Sequence, residues 1–91
     1  MIYCYLEDYP YTEDDEYETI GFIDSENHSY NGTVFHILYY HNSFQSTMTR
    51  ILELCKLNNI EMHILSQDNN DWSFIIKKRD IDNIKFILRI L

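Results

Sequence analysis

Between Glu7 and Glu18 the chain runs Glu-Asp-Tyr-Pro-Tyr-Thr-Glu-Asp-Asp-Glu-Tyr-Glu, seven carboxylates and three tyrosines in twelve residues. Five of the acids crowd into Glu13, Asp14, Asp15, Glu16 and Glu18, broken only by Tyr17, with Tyr9 and Tyr11 just before. Like charges packed this closely repel, which opposes the compact state. Tyrosine offers a rigid apolar body with a polar tip, the kind of side chain that makes binding surfaces. Carboxylates spaced along a surface also resemble nucleic-acid phosphates to a basic groove. The chemistry this segment suits is electrostatic docking, fast to associate and sensitive to salt. Its plain alternative is a solvated loop that aids solubility. A calcium loop of EF-hand type is not expected, because the central glycine of that pattern is missing. The candidate partner-binding residues are therefore Glu7, Asp8, Tyr9, Tyr11, Glu13, Asp14, Asp15, Glu16, Tyr17 and Glu18.

Other side chains able to do chemistry are scattered. His28, His36, His41 and His63, with Cys4 and Cys55, raise the question of a metal, but no Cys-x-x-Cys or His-x-x-x-His spacing occurs. His36 and His63 become neighbours only if their strands pair. Neither a metal nor another cofactor is expected. Both cysteines sit in apolar surroundings and are expected as buried thiols in a reducing cytosol. Only Gly21 and Gly32 are available, so no glycine-rich phosphate loop exists, and no Gly-x-Ser-x-Gly or Ser-x-x-Lys pattern is present. The expectation is a protein that is not an enzyme. Lys77-Lys78-Arg79 is the one basic cluster, either a solvated junction or a contact for the acidic half, within the chain or across a dimer.

Charge is distributed very unevenly along the chain. The chain has 91 residues and a net charge of −8 with histidines neutral. Nine of its carboxylates precede Arg50, the first basic residue, whereas residues 50–91 hold six carboxylates against seven Lys and Arg. The balance argues against direct nucleic-acid binding, which needs positive charge facing phosphate. Apolar residues make up 45%, too many for a disordered acidic tail. Alanine is missing while Ile, Asn and Tyr are abundant, a bias that fits AT-rich coding DNA of low-GC bacteria and their phages. The apolar start is short, lacks a basic flank and ends at Glu7 and Asp8, so no secretory signal is expected and the location is expected to be cytoplasmic. No apolar run reaches membrane length.

The elements that must position these groups follow from periodicity. Residues 2–6 form an apolar strand. Residues 7–18 keep neither period, and Pro10 argues against a central strand, so they are expected as a loop running into an edge strand. Residues 19–24 form a second strand. Ser25 to Gly32 is a turn ending in Asn-Gly. Residues 33–41 form the strand richest in β-branched and aromatic residues. Asn42 or Ser43 then caps a helix with Phe44, Met48, Ile51, Leu52 and Cys55 on one face. Asn58-Asn59 stops it. Residues 60–65 alternate, with Ile60, Met62 and Ile64 on one side. Residues 72–77 form a fifth strand, and Asp80 caps a last helix whose apolar face is Ile81, Ile84, Ile87, Leu88 and Leu91.

The order β-β-β-α-β-β-α over 1–91 predicts a single α+β domain. It would be a two-layer sandwich with a mixed or antiparallel sheet and both helices on one face, ferredoxin-like or related. The other sheet face would carry Tyr, His and acidic residues toward solvent or a partner. In size, acidity and source bias the chain resembles the small inhibitors encoded by phages and mobile elements: anti-CRISPR, anti-restriction and DNA-mimic proteins. The expected function is such an inhibitor, covering the basic nucleic-acid groove of a host defence or nucleic-acid enzyme. Two alternatives stand beside it. One is an antitoxin or immunity protein for a cognate toxin; the other is a homodimeric ligand-binding regulatory module.

Overall fold

The computed structural model describes residues 1–8, 14–27, 29–40 and 42–91. Five strands and two helices follow the expected order: β1 (Ile2–Glu7), β2 (Tyr17–Asp24), β3 (Gly32–Leu38), α1 (Phe44–Leu57), β4 (His63–Gln67), β5 (Asp71–Lys77) and α2 (Ile81–Ile90). Short 3-10 turns at Ser25–Asn27 and Lys78–Asp80 lead into β3 and α2. The strands form one sheet in the order β3-β1-β2-β5-β4, with every neighbouring pair antiparallel. The α+β class is therefore correct and the sheet is antiparallel rather than mixed. The ferredoxin-like topology does not follow from this order, since that motif runs β-α-β-β-α-β.

Alternation sorts the strands into two faces. Ile2 and Cys4 of β1, Ile20 and Phe22 of β2, and Trp72, Phe74 and Ile76 of β5 join one buried cluster with Phe44, Met48, Ile51 and Cys55 of α1 and Ile84, Ile87 and Leu88 of α2. Both helices therefore cover the same sheet face. Fully burying an apolar side chain of this size stabilises the fold by about 1.5–3 kcal/mol, so this layer carries the stability. Phe44 and Phe74 each meet Trp72 edge-on, at 6.1 and 6.5 Å between ring centres. The Trp72 indole N–H donates to the Asp68 carbonyl at 2.7 Å, tying the β4–β5 turn to the core.

Three expectations are corrected. First, Tyr17 and Glu18 begin β2, the middle strand, so the acidic segment feeds the centre of the sheet instead of an edge. The edges are β3 and β4. Second, Ile60 belongs to the end of α1 and not to a strand. Asn59 takes a left-handed φ of 58°, the Asn59 N–H donates to the Lys56 carbonyl, and the Ile60 N–H reaches back to the Cys55 carbonyl at 2.9 Å. That is a Schellman stop, whose following residue characteristically packs back on the helix, and Ile60 is accordingly buried. β4 then starts only at His63, and Ile64 is 56% exposed. Third, Asp80 does not cap α2 with its side chain. Its backbone is already helical (φ −92°, ψ −5°), because the Lys78–Asp80 turn runs straight into the helix. Ser43 does cap α1: its Oγ accepts from the Ser46 N–H at 3.1 Å, and Ser46 Oγ accepts from the Ser43 N–H at 3.3 Å.

Candidate functional site

The acidic segment leaves the sheet at Glu7, which is half-buried, and Asp8, whose N–H donates to the Asn31 carbonyl at 3.0 Å. Tyr9, Tyr11 and Glu13 lie outside the described residues. Asp14, Asp15 and Glu16 are exposed and form a turn. In it Asp14 Oδ1 accepts from the Glu16 N–H at 3.0 Å, and the Asp14 carbonyl accepts from the Tyr17 N–H at 3.1 Å. Aspartate stabilises such a turn with its own side chain. The turn delivers Tyr17 and Glu18 to β2 opposite Lys77 and Ile76 of β5.

This pairing brings the basic cluster onto the acidic segment within the chain. The Lys78 N–H donates to the Glu16 carbonyl at 2.9 Å, and Lys78 Nζ lies 3.8 Å from Glu18 Oε1. Lys77 Nζ stands 3.9 Å from Glu61 Oε2. Glu16, Tyr17, Lys77, Lys78 and Arg79 line one shallow cavity of about 470 Å³. Exposed pairs of this kind contribute at most about 1 kcal/mol each. Their larger effect is to offset the negative charge of Glu18 and Glu61.

The remaining charge is sorted by layer. Arg50 and Lys56 of α1 and Lys85 and Arg89 of α2 sit on the helices beside Glu53 and Asp82. Among the described residues, the sheet with its turns holds twelve carboxylates against Lys77, Lys78 and Arg79. Asp68 and Asp71, which belong to the near-neutral half of the sequence, join the acidic layer. Asp24 completes it beside them: its N–H donates to the Asn70 carbonyl at 2.8 Å. The Asp24 carboxyl is held below the usual range, first by the Glu26 N–H and also by the Tyr40 hydroxyl, which donates to Oδ2 at 2.8 Å.

A second feature lies on the sheet face away from the helices. Tyr5 is almost wholly buried there, lying across Gly21 of β2, where any side chain would overlap its ring. Tyr30, from the turn before β3, packs on Tyr5 at 4.9 Å and edge-on to Tyr3 at 6.0 Å. On the other side Ser66 and Ser73 share a hydrogen bond of 2.7 Å between β4 and β5. A cleft of about 450 Å³ lies between them, with Glu7 and Asp71 both in its lining. Burial lifts the Glu7 carboxyl above its usual range and Asp71 adds to the rise; burial lifts Asp71 too, with Asp68 adding. Neither carboxylate has a hydrogen bond or ion pair to a described residue.

Comparison with known families, curated proteins and solved structures finds no match to this chain. The site must be judged on geometry alone. His36 and His63 lie on opposite edge strands, β3 and β4, so they cannot share a ligand. Among the described residues no three metal-ligating side chains come together; His28 and His41 lie outside them. Cys4 and Cys55 are unpaired and buried, and burial pushes both thiols up, Cys55 to about 11 with Asp80 adding. Among the described residues no helix is long and apolar enough to cross a membrane.

Sequence reasoning found Glu7 and missed Asp71, Tyr30, Ser66 and Ser73. Alternation alone could have put Tyr5 and Glu7 on the face opposite Cys4. Nothing local says that β2 brings β1 and β5 to its two sides.

Proposed function

We propose that the chain is a small acidic inhibitor, not an enzyme, that docks on the basic nucleic-acid groove of a host defence or nucleic-acid enzyme. The observation that carries the proposal is the uneven charge: twelve carboxylates against three cations on the described strands and turns, with the other four cations held on the helices. A one-sided field steers a basic partner toward one face and raises the association rate. The Lys78–Glu18 ion pair and the main-chain contact of Lys78 with Glu16 put positive charge at the end of the segment and move the expected footprint toward its start. Its centre becomes Glu7, Asp8, Asp14 and Asp15, with Asp24 and Asp68 extending it. The tyrosines of the same face add rigid contact area.

The test pairs capture with inhibition. Wild-type protein and an Asp8→Lys, Asp14→Lys, Asp15→Lys variant are used to capture partners from the native host at low and high salt. The expected result is a basic nucleic-acid-binding protein retained by the wild type, released by salt and lost by the variant. Its loading onto nucleic acid should then be blocked by wild-type protein. Equal retention by the variant, or a partner without a basic groove, overturns the proposal.

A further inference from the structure

We infer that the cleft between Tyr30 and the Ser66–Ser73 pair is a binding site for a guanidinium or alkylammonium group. Its volume of about 450 Å³ falls within the range of small-molecule sites, about 300–1,000 Å³, and exceeds what one arginine side chain needs. Two half-buried carboxylates, Glu7 and Asp71, line it without a partner among the described residues. They come from different strands, β1 and β5, and the fold holds them in one concave space although Asp71 opposes the ionisation of Glu7. That cost is removed when a cation enters. Guanidinium is the best fit of the common cations, because its planar fork can meet carboxylates and hydroxyls together. Its flat face also stacks on aromatic rings, here offered by Tyr30 on Tyr5. Leu65 provides an apolar stretch of wall for an alkyl stem. A bare hard metal fits less well, since two carboxylates fall short of a full oxygen shell. No described cation lines the cleft, so an anion has nothing to hold it.

The same chemistry has two sources: an arginine on a partner protein, or a free small cation such as a decarboxylated arginine. The cleft shares Glu7 with the docking footprint, but the docking proposal is tested at Asp8, Asp14 and Asp15, which do not line the cleft, so either can fail without the other. Agmatine, arginine amide and an arginine-bearing peptide are titrated into the whole chain at constant ionic strength, with citrulline amide as the neutral control. Chemical shifts of Tyr5 and Tyr30 report binding. Saturable shifts with the cations and none with citrulline amide are expected. Glu7→Gln and Asp71→Asn should each weaken binding about tenfold or more, as for loss of a charge-assisted bond. Asp82→Asn, on α2 and outside both proposed sites, should leave it unchanged. Binding should weaken as pH falls through the raised carboxyl range, since a protonated carboxyl no longer attracts the cation. Tighter binding of the peptide assigns the ligand to a protein side chain, and tighter binding of agmatine assigns it to a free cation. Shifts that Glu7→Gln and Asp71→Asn leave intact, or that citrulline amide reproduces, overturn the inference. Circular dichroism of each variant separates loss of binding from loss of fold.

Discussion

Replacing Gly21 by alanine tests the architecture of the open sheet face most directly. A Cβ at Gly21 would come within 2.6 Å of Tyr5 Cε1 and closer still to Cζ, distances that real side chains do not tolerate. The ring cannot simply swing aside, because Tyr5 is 3% exposed and Tyr30 rests on it at 4.9 Å. Forcing extra atoms into such a place costs about 1–3 kcal/mol. For a domain of this size that lowers the melting temperature by roughly 5–20 °C. The control is Tyr5→Val, which removes the ring atoms in question. In that background alanine meets no clash and regains the backbone preference that glycine lacks in a strand, about 0.5–1 kcal/mol. Urea denaturation of the wild type, both single variants and the double variant then gives a coupling energy. The expected coupling is about 1.5 kcal/mol or more, in the direction that Tyr5→Val rescues Gly21→Ala. If the two changes are additive to within about 0.5 kcal/mol, the Tyr5–Gly21 contact does not hold the face together and the reasoning fails.

Three further expectations concern the rest of the molecule. Ser43→Ala should destabilise by about 1 kcal/mol in urea melts, because it removes a two-way cap; Asp80→Ala should cost clearly less, having no cap bond to lose, and equal costs would contradict the assignment. Cys4 and Cys55 should react with a thiol reagent only at the rate of unfolding, since both are buried and held as neutral thiols; rapid labelling of the folded chain would refute this. Stability should respond to pH in two opposed steps. The raised carboxyls of Glu7 and Asp71 bind protons more tightly folded than unfolded, so stability grows as pH falls from 7 into their raised range. The lowered carboxyl of Asp24 acts the other way, and its contribution disappears as pH falls below the ordinary aspartate value, about 3.9, through its folded one. Melting temperatures should therefore rise as pH falls from 7 into the raised carboxyl range and fall in stronger acid, and a Glu7→Gln, Asp71→Asn double variant should show a smaller rise. An equal rise in that variant would remove the pair from the account.

Much of the fold was legible from local pattern. The 3.6-residue spacing of Phe44, Met48, Ile51 and Cys55 and of Ile84, Ile87 and Leu88 named buried residues of both helices, though Leu91, expected on the same face, is exposed beyond α2; of Asn42 and Ser43 the second is the cap, and the stop falls at Asn58-Asn59. Tyr39 and Tyr40 lie past the end of β3, the first 70% exposed and the second half-buried against Asp24. Failures came where two local signals compete. Ile60 continues a strand-like alternation but is claimed by the helix stop. Asp80 has the chemistry of a cap but sits in backbone that is already helical.

Composition and periodicity by themselves determined the α+β class, the single helix-covered face, the acidic character and the absence of familiar catalytic motifs. These depend on each residue and its near neighbours. Strand order was decided only by the tertiary structure, because several orders bury the same alternate residues equally well. Placing β1 between β2 and β3 made the acidic segment the entrance to the central strand. Placing β5 beside β2 laid Lys78 against Glu18 and put Asp71 in one cleft with Glu7, sixty-four positions away in the chain. Electrostatics acts through space, so the sequence could count the charges but could not say which of them would be neighbours.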